Sequence, residues 1–379
     1  MVYSDEGLNG MSHRFHDTYR RHLINPRYVH AKRPVLINSW EGAYFNFDNE
    51  RLMRMIDGVK GTGVDMFVLD DGWFGARNGD KAGLGDWVVN EEKLKGGLKT
   101  VIDYTHAAGM KFGLWFEPEM VNPDSDLYRA HPDYAIHCPG HAPMLGRNQL
   151  VLDLTRADVR DYIVEAVSKV LRENEIDYVK WDFNRSVAEN YSSHLPADRQ
   201  MEFQYRFALG FFDLCERLVN GFPHIFFEGC SSGGARFDAG LMYYFPQIWT
   251  SDDTDAYMRT LIQYGASMIY PLSVHSCHVS ACPNHQAKHT TPFATRADIA
   301  HLGATGYELD PAVISEEERA QIAEQVAAYH EMEDLVLEGD LYRLSSTANS
   351  NFFAEELVSK DKTKALLTAM RAIPIVTNK

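Results

Sequence analysis

The sequence predicts an α/β fold, a (β/α)8 barrel of the TIM type followed by a short carboxyl-terminal β appendage. Strand-like apolar runs alternate with amphipathic helices over roughly 300 residues, which indicates a parallel sheet and favours a barrel over an open sheet. Most of these runs end in carboxylates, amides or indoles, as strands do at the edge of a parallel sheet where ligands bind. After Glu333 the pattern changes to short strand-like runs that resemble an incomplete β domain.

We divide the chain into a polar connector at 1–31, a catalytic barrel at 32–333 and a partial β domain at 334–379. Predicted barrel strands span 34–41, 64–73, 111–119, 178–182, 224–229, 243–250, 266–270 and 299–304, the last two with the weakest patterns. Predicted helices span 49–61, 92–108, 158–173, 198–220 and 254–265, with Gly109 as a left-handed cap and a capping box at Ser315 and Glu318. Strand-like runs of the appendage span 335–337, 342–344 and 365–370.

Composition excludes several classes of protein. The 379 residues carry a formal net charge of −16, which argues against a nucleic-acid or anionic-membrane partner and fits a neutral ligand. Five cysteines without regular spacing predict reduced thiols and a cytoplasmic location. The polar amino end and the lack of an apolar run of about 18 residues predict neither a signal peptide nor a membrane span.

Polar side chains follow the predicted strands and should meet at one face, because parallel strands end at the same edge. They are Trp40, Glu41, Asp70, Asp71, Trp115, Glu117, Lys180, Asp182, Asn184, Arg185, Glu228, Cys230, Asp252 and Asp253. Carboxylates accept hydrogen bonds from sugar hydroxyls, and indole faces pack on the apolar face of a pyranose. The pattern therefore predicts a carbohydrate site.

Cleavage of a glycosidic bond requires one ionised carboxyl group and one that holds a proton. Asp182, flanked in sequence by Lys180 and Arg185, fits the ionised nucleophile, and Asp252, beside Asp253, fits the proton donor. Structural alternatives remain for each acid: a strand-end salt bridge for Asp182, and a helix N-cap cluster for residues 252–255. The pair Asp70–Asp71 could equally consist of turn-forming residues.

Five segments carry a family resemblance: 69–74 (LDDGWF), 114–120 (LWFEPEM), 180–185 (KWDFNR), 230–234 (CSSGG) and 249–255 (WTSDDTD). They are similar, in the same order, to segments of the retaining α-galactosidases of glycoside hydrolase family 36. The resemblance covers about Arg33 to Leu335. Phe183 and Ala235 depart from the residues common in the family, Met and Gly, at positions that are not catalytic.

This resemblance implies a hydrolase that releases terminal α-galactose from melibiose- or raffinose-type sugars through a covalent intermediate, without cofactor or metal. It implies Asp182 as nucleophile, Asp252 as acid/base, and a substrate-binding set of Trp40, Asp70, Asp71, Trp115, Arg147, Lys180, Asn184, Cys230, Ser232 and Gly233. Family members carry an amino-terminal β-sandwich and a complete carboxyl-terminal β domain. Here we interpret the first as absent and the second as truncated, which leaves homo-oligomer formation and the activity of the isolated chain open.

Some residues also fit other functions. The segment 229–233 matches a nucleophile elbow, and Asp252 and His275 follow it in the order of a serine esterase. Histidines and cysteines between His275 and His289 crowd what we interpret as one loop, although their spacing fits no standard zinc site. An inactive sugar-binding barrel, an α-N-acetylgalactosaminidase and a transglycosylating α-galactosidase remain as further alternatives.

Overall fold

The computed structural model describes residues 2–372. In chain order the strands are β1 (Leu36–Asn38), β2 (Met66–Leu69), β3 (Lys111–Phe116), β4 (Met120–Val121), β5 (Leu150–Val151), β6 (Tyr178–Trp181), β7 (Phe226–Gly229), β8 (Gln247–Trp249), β9 (His275–Ser280), β10 (Ala304–Glu308), β11 (Asp340–Ser345), β12 (Phe352–Val358) and β13 (Ala365–Arg371). A closed barrel has the strand order β1-β10-β9-β8-β7-β6-β3-β2. Strands β4 and β5 form an antiparallel pair, and β11 to β13 form an antiparallel sheet. This confirms the predicted fold class.

Among residues 2–372, two helices precede the first barrel strand and the others follow it in the chain. The helices are α1 (Gly7–His22), α2 (Pro26–Val29), α3 (Trp40–Ala43), α4 (Asn49–Val59), α5 (Leu98–Ala107), α6 (Asp126–Ala130), α7 (Ala157–Glu173), α8 (Phe203–Gly221), α9 (Leu241–Tyr244), α10 (Ala256–Ala266), α11 (Phe293–Ala300) and α12 (Glu316–Glu338). The capping box at Ser315 and Glu318 is confirmed, and Gly109 has the predicted positive φ, at +86°. Within residues 2–372, no helix combines the length and apolar character needed to cross a membrane.

Amphipathic periodicity predicts α7 well. Its buried side chains include Val159, Ile163, Val167 and Val170, which recur every three or four residues as on one face of a helix. Charged residues occupy the other face, so the apolar stripe is the buried face of the helix, and α7 packs against α8.

The predicted seventh strand at 266–270 is wrong. These residues end α10 and form the turn after it, where the His16 ring contacts the Ser267 carbonyl oxygen at 2.8 Å. The seventh barrel strand is β9, whose polar residues do not resemble a buried strand in the sequence. They are buried nonetheless because they pair internally, with His278 Nδ1 2.9 Å from Glu308 Oε2.

Other boundaries also differ from the prediction; for example, the helix predicted at 92–108 begins only at Leu98. Residues 299–300 end α11, so the eighth strand is β10, which begins at Ala304 instead of ending there. Tyr243 and Tyr244 belong to α9, so the sixth strand is shorter than predicted. The run 335–337 is the last turn of α12 and not a strand, because the helix continues to Glu338.

The appendage matches the prediction at β11 and β13, while β12 was missed. The strand β12 alternates buried and exposed residues, with Phe353, Glu355 and Leu357 buried. A glutamate at an inward position breaks the apolar half of the alternation, which explains why the sequence did not indicate this strand. Residues 373–379 of the predicted appendage lie outside the described residues.

Two compact units make up the chain. One comprises Met1–Gly42, Asp57–Met66 and Gly233–Lys379, and the other comprises Ala43–Ile56 and Phe67–Ser232. We refer to them as the Gly233 unit and the Asp182 unit, after one residue that each contains.

A buried carboxyl group lies in the Gly233 unit. Glu355 pairs in register with Arg343, is 1% exposed, and has no hydrogen-bond partner for either carboxylate oxygen among the described residues. Arg343 donates to the Ser267 hydroxyl at 2.8 Å. Burial raises the pKa of Glu355 from 4.5 to about 7, and the charge of Arg343 opposes that rise.

This group should make stability depend on pH. Between pH 4.5 and about 7 the unfolded chain releases a proton that the folded chain keeps, so the free energy of unfolding should fall with rising pH. The loss is at most about 3 kcal/mol, and it is complete above the folded pKa. In Glu355→Gln the side chain at this position does not titrate, so this contribution to the pH dependence is lost. The Tm of the variant minus that of the unmodified chain should therefore rise between about pH 5 and about pH 8. Thermal unfolding at both pH values measures this.

Glu356→Gln, on the opposite face of β12, is the matched control and should show no such trend. A Tm difference between Glu355→Gln and the unmodified chain that stays constant with pH would contradict the assignment.

Candidate active site

Asp182 directly follows β6 and is buried, with 6% of its surface exposed. Its carboxylate accepts hydrogen bonds from the Trp115 indole Nε1 at 3.2 Å, the Asn184 side-chain amide at 2.5 Å and the Phe183 backbone N–H at 2.8 Å. Every one of these contacts is donated to the carboxylate, so together they stabilise its anionic form and hold both oxygens in place. Such a carboxylate is suited to act as a nucleophile.

Lys180 and Arg185, which the sequence analysis expected to keep Asp182 ionised, have other partners. Lys180 Nζ donates to Asp70 Oδ2 at 2.8 Å, and both side chains are buried. Arg185 donates at 2.6 Å to two backbone carbonyl oxygens of the segment 144–149. The hydrogen bonds described for Asp182 therefore come from neutral donors, which the order of residues in the strand did not indicate.

Two acids at the end of β2 are held by different cations. Asp70 pairs with Lys180, while Asp71 accepts from Arg77 Nε at 2.9 Å and from Arg77 Nη2 at 2.7 Å. Burial raises the pKa of Asp71, and Arg77 opposes that rise. Gly72 follows with φ +111°, a conformation that turns the chain sharply after the two acids. The result is a rigid pair of acceptors at the strand end, suited to bind hydroxyl groups.

Asn184 links three parts of the Asp182 unit. Its side-chain oxygen accepts from the Ser232 hydroxyl at 3.0 Å, which orients its nitrogen toward Asp182. Its backbone N–H donates to Glu117 Oε1 at 2.6 Å. Cys230 lies in the same segment as Ser232 and is buried directly after β7. The residues after β3, β6 and β7 are therefore joined around one carboxylate.

A serine-esterase arrangement receives no support. The Ser231 hydroxyl donates to the Phe183 carbonyl oxygen at 3.0 Å, and the Ser232 hydroxyl is committed to Asn184. His275, the proposed base, is fully buried at the amino end of β9, where burial lowers its pKa to about 3. A base with so low a pKa accepts a proton poorly near neutral pH.

Arg147 lies in an exposed turn with φ +52°. Its guanidinium is 3.7 Å from the Asp80 carboxylate, and the same carboxylate oxygen is 3.8 Å from Arg77. Since Arg77 holds Asp71, the loop that carries Arg147 approaches the acids at the end of β2 through Asp80. The role of Arg147 in lining a pocket, which the family resemblance implies, stays a prediction.

In the Gly233 unit, Asp252 follows β8 after Thr250 and Ser251 and is exposed. Its Oδ1 accepts from the Trp249 indole Nε1 at 3.0 Å. The N-cap of α10 is Asp255 and not Asp252, so the alternative role of helix capping, considered for residues 252–255, applies to Asp255. Asp253 accepts from the Asp255 backbone N–H, and a proton shared between Asp252 and Asp253 stays a prediction.

Trp40 and Glu41 open the short helix α3 instead of ending a strand. Trp40 is half-buried, and its backbone N–H donates to Asn38 Oδ1 at 2.8 Å. Glu41 is buried and accepts from the Thr254 hydroxyl at 2.6 Å. Burial and the nearby charge of Glu308 raise the pKa of Glu41 to about 8.

Gly233 lies so close to the backbone of Ser251 and Asp252 that a side chain has no room there. It has φ +86°, and a Cβ there would lie 2.6 Å from Ser251 Cα and 2.8 Å from the Asp252 nitrogen. Gly233→Ala should lose about 1–2 kcal/mol from the left-handed conformation alone, with a further loss from the clash. It should also displace Asp252, so that the hydrolysis of α-galactosides that the family resemblance implies should fall even where the variant folds.

Thermal unfolding together with an activity assay measures both effects. Gly265→Ala is the matched control, since it lies in α10 with open space around it and should gain up to about 1 kcal/mol. Normal stability and activity of Gly233→Ala would show that the close approach at Ser251 is unimportant.

Sequence reasoning missed several residues that organise the site. Trp249 was quoted only as part of a motif, although it binds Asp252, and Arg77 was not noticed although it holds Asp71. Glu117 was named as a strand-end acid but given no role. Gln149, which donates to Glu117 at 3.1 Å, lies in a loop and carried no pattern.

The interpretation of His275 to His289 as one loop is wrong, since its first residues, His275 to His278, are part of strand β9. Among residues 2–372, the structure contains no group of three or more His, Cys, Asp or Glu side chains arranged to hold a metal ion.

A closed barrel of parallel strands with helices in the intervening segments defines the class of (β/α)8 barrels, whose ligands bind at the carboxyl ends of the strands. The melibiase family model matches residues 1–339, and the chain belongs to that family.

Curated and solved relatives agree with this. The bifunctional α-galactosidase/sucrose kinase AgaSK of Mediterraneibacter gnavus is 49% identical over 98% of this chain and 39% of its own length. Alpha-galactosidase Mel36A of Lactobacillus acidophilus is 48% identical over 98% of this chain and 51% of its own length. The crystal structure of the family 36 α-galactosidase AgaA from Geobacillus stearothermophilus has 46% identity and a TM-score of 0.98, covering 100% of this chain and 53% of that protein. Variants of AgaA have been solved with stachyose and with raffinose. The chain thus spans about half the length of the relatives it matches, or less.

Proposed function

We propose that this chain carries the catalytic barrel of a retaining α-galactosidase that releases terminal α-linked galactose. The observation that carries the proposal is the Asp182 carboxylate, buried at the end of β6 and held by donors from Trp115, Asn184 and Phe183. Membership of the melibiase family and the α-galactosidase relatives support the same activity.

In the proposed first step, an oxygen of Asp182 attacks the anomeric carbon and the bond to the leaving oxygen breaks. Asp252 gives its proton to that oxygen, which leaves a β-linked galactosyl ester on Asp182 and an ionised Asp252. In the second step Asp252 takes a proton from water, which attacks the anomeric carbon and restores the Asp182 carboxylate. The product is α-galactose, and this scheme requires the two carboxyl groups to flank the sugar about 5–5.5 Å apart.

The environments of the two acids support this division of roles. Asp182 is buried among donors that favour its charge, whereas Asp252 is exposed and accepts one described hydrogen bond, from Trp249. An exposed acid can give a proton to the leaving group, as the first step demands, and take one from water, as the second step demands.

For the substrate we propose α-galactosides of the melibiose and raffinose type. Asp70, held by Lys180, and Asp71, held by Arg77, present fixed acceptors to galactose hydroxyl groups. Trp40, Trp115 and Arg147, together with the segment from Cys230 to Gly233, complete the proposed lining. The complexes of AgaA variants with raffinose and stachyose support this class of substrate.

Hydrolysis by the purified chain tests the proposal. We expect galactose release from p-nitrophenyl α-galactoside and from raffinose, little from p-nitrophenyl α-N-acetylgalactosaminide, and none from Asp182→Asn. Ser231→Ala should keep the activity. Hydrolysis that survives in Asp182→Asn, or a preference for the N-acetylated sugar, would contradict it. Galactose binding without hydrolysis would identify a non-catalytic sugar-binding barrel instead.

We further propose a cytoplasmic location, homo-oligomeric assembly and the domain limits 1–31, 32–333 and 334–379. All five cysteines of the sequence lie in described residues and are free thiols, which suits a reducing compartment. Light scattering on the purified chain tests the assembly.

A further inference from the structure

Glu117 is a buried acid behind the proposed nucleophile. It follows β3 and is fully inaccessible to solvent. Its Oε1 accepts the Asn184 backbone N–H at 2.6 Å, and the Asn184 side chain in turn donates to Asp182 Oδ2 at 2.5 Å. Glu117 therefore contacts the nucleophile through one intervening residue. A shift of Asn184 caused by Glu117 would also move the hydrogen bond that Asn184 donates to Asp182.

No cation is committed to Glu117 by a described hydrogen bond. Arg77, whose charge acts on Glu117, donates from Nε and Nη2 to Asp71 and from Nη1 to Gly79, Ala82 and Asn122. The charges that act on Glu117 are those of the Asp182 and Asp71 carboxylates, which raise its pKa, and that of the Arg77 guanidinium, which lowers it. Two buried carboxylates with no bridging cation are costly, so one of them is expected to hold a proton.

Gln149 offers an acceptor for such a proton. Its Nε2 lies 3.1 Å from Glu117 Oε2, while its Oε1 is buried and has no hydrogen-bond partner among the described residues. Exchange of the amide oxygen and nitrogen, a half-turn of the side-chain amide, would bring that oxygen to Glu117. A protonated Glu117 could then donate to Gln149 while still accepting from Asn184.

We propose that Glu117 works as a neutral acid, a positioning residue that holds Asn184 against Asp182 and leaves the negative charge to the nucleophile. This rests on the proposed α-galactosidase function, because it concerns the same carboxylate. Burial and the charge of Asp182 raise the pKa of Glu117 to about 8, which agrees with a protonated form at neutral pH. Above that pH a second carboxylate arises beside Asp182, and repulsion between the two loosens the Asn184 contact.

Comparing Glu117→Gln with Glu117→Ala distinguishes the proposed neutral acid from a residue that is needed only for structure. Glu117→Gln imitates the neutral acid, because its oxygen accepts from Asn184 and its nitrogen donates to Gln149. It should keep kcat/KM within about fivefold of the unmodified chain near neutral pH, whereas Glu117→Ala should lose about 100-fold through displacement of the nucleophile. If glutamine fails as badly as alanine while both variants fold, the working form is the anion and the proposal is overturned.

The pH profile gives the second readout. It is measured as kcat/KM with α-galactosyl fluoride, whose leaving group needs no proton from Asp252. The unmodified chain should lose activity above about pH 8, and Glu117→Gln should not. Glu41→Gln is the control, since the pKa of Glu41 is also raised to about 8. A loss that persists in Glu117→Gln and vanishes in Glu41→Gln would overturn the assignment.

Failure of this inference is distinct from failure of the proposed function. If the unmodified chain does not cleave the fluoride at all, the α-galactosidase proposal fails. If the unmodified chain cleaves the fluoride and Glu117→Gln has the same pH profile, the α-galactosidase proposal stands and the role proposed for Glu117 is wrong.

Discussion

Replacing Asp182 by alanine is expected to lower kcat/KM for p-nitrophenyl α-galactoside by at least about 10⁴-fold. The reason is that no other group in the Asp182 unit holds an ionised oxygen among the same donors. The Trp115 indole, the Asn184 amide and the Phe183 N–H would remain, but they have no oxygen to present to the anomeric carbon. Steady-state kinetics on the folded variant measures the loss.

Azide should restore turnover of Asp182→Ala, because a small anion fits the space left by the carboxylate. It attacks the face that Asp182 would have attacked, so the product should be β-galactosyl azide. The matched control is Asp177→Ala, which lies just before β6 and should change the rate little. A product with the α configuration, or near-normal activity of Asp182→Ala without azide, would show that Asp182 is not the nucleophile.

The second large effect concerns Asp252. The fall in rate when Asp252 is replaced should depend on the leaving group, since a proton is needed only where that group is strongly basic. We expect Asp252→Ala to cleave raffinose about 10²- to 10⁴-fold more slowly, while the first step with α-galactosyl fluoride changes far less. Comparing kcat/KM for the two substrates measures the difference.

Asp253→Asn separates the two adjacent acids. Since Asp253 accepts the Asp255 backbone N–H, this variant should keep the ratio of the two rates close to that of the unmodified chain. An equal loss with raffinose and with the fluoride in Asp252→Ala would mean that Asp252 positions the substrate and does not donate the proton.

The alternation of strands and helices made the barrel predictable, because parallel strands flanked by helices have nearly continuous apolar runs. That rule failed at β9, where His278 and its neighbours are polar and are buried only because Glu308 lies opposite on the next strand. A contact between strands that are 30 residues apart is not visible in a local pattern. The strand β12 was missed for another reason, since its inward Glu355 interrupts the apolar face.

For the candidate site, sequence reasoning identified the acids but not their partners. Asp182 could be found because a buried strand ends there in polar residues. Its donors could not, since Trp115 lies 67 residues away and the flanking Lys180 turns out to hold Asp70 across 110 residues of sequence. Sequence neighbours of an acid are therefore weak evidence for its charge state, whereas strand ends are good evidence for its location.

The central claim is a two-step displacement at the anomeric carbon, and the configuration of the first product tests it most directly. Proton NMR during hydrolysis of p-nitrophenyl α-galactoside follows the anomeric signals before the free sugar equilibrates. The account predicts that α-galactose forms first and that the β anomer grows in only by mutarotation. Initial release of β-galactose would mean a single displacement by water and would contradict the assignment of Asp182 as a nucleophile.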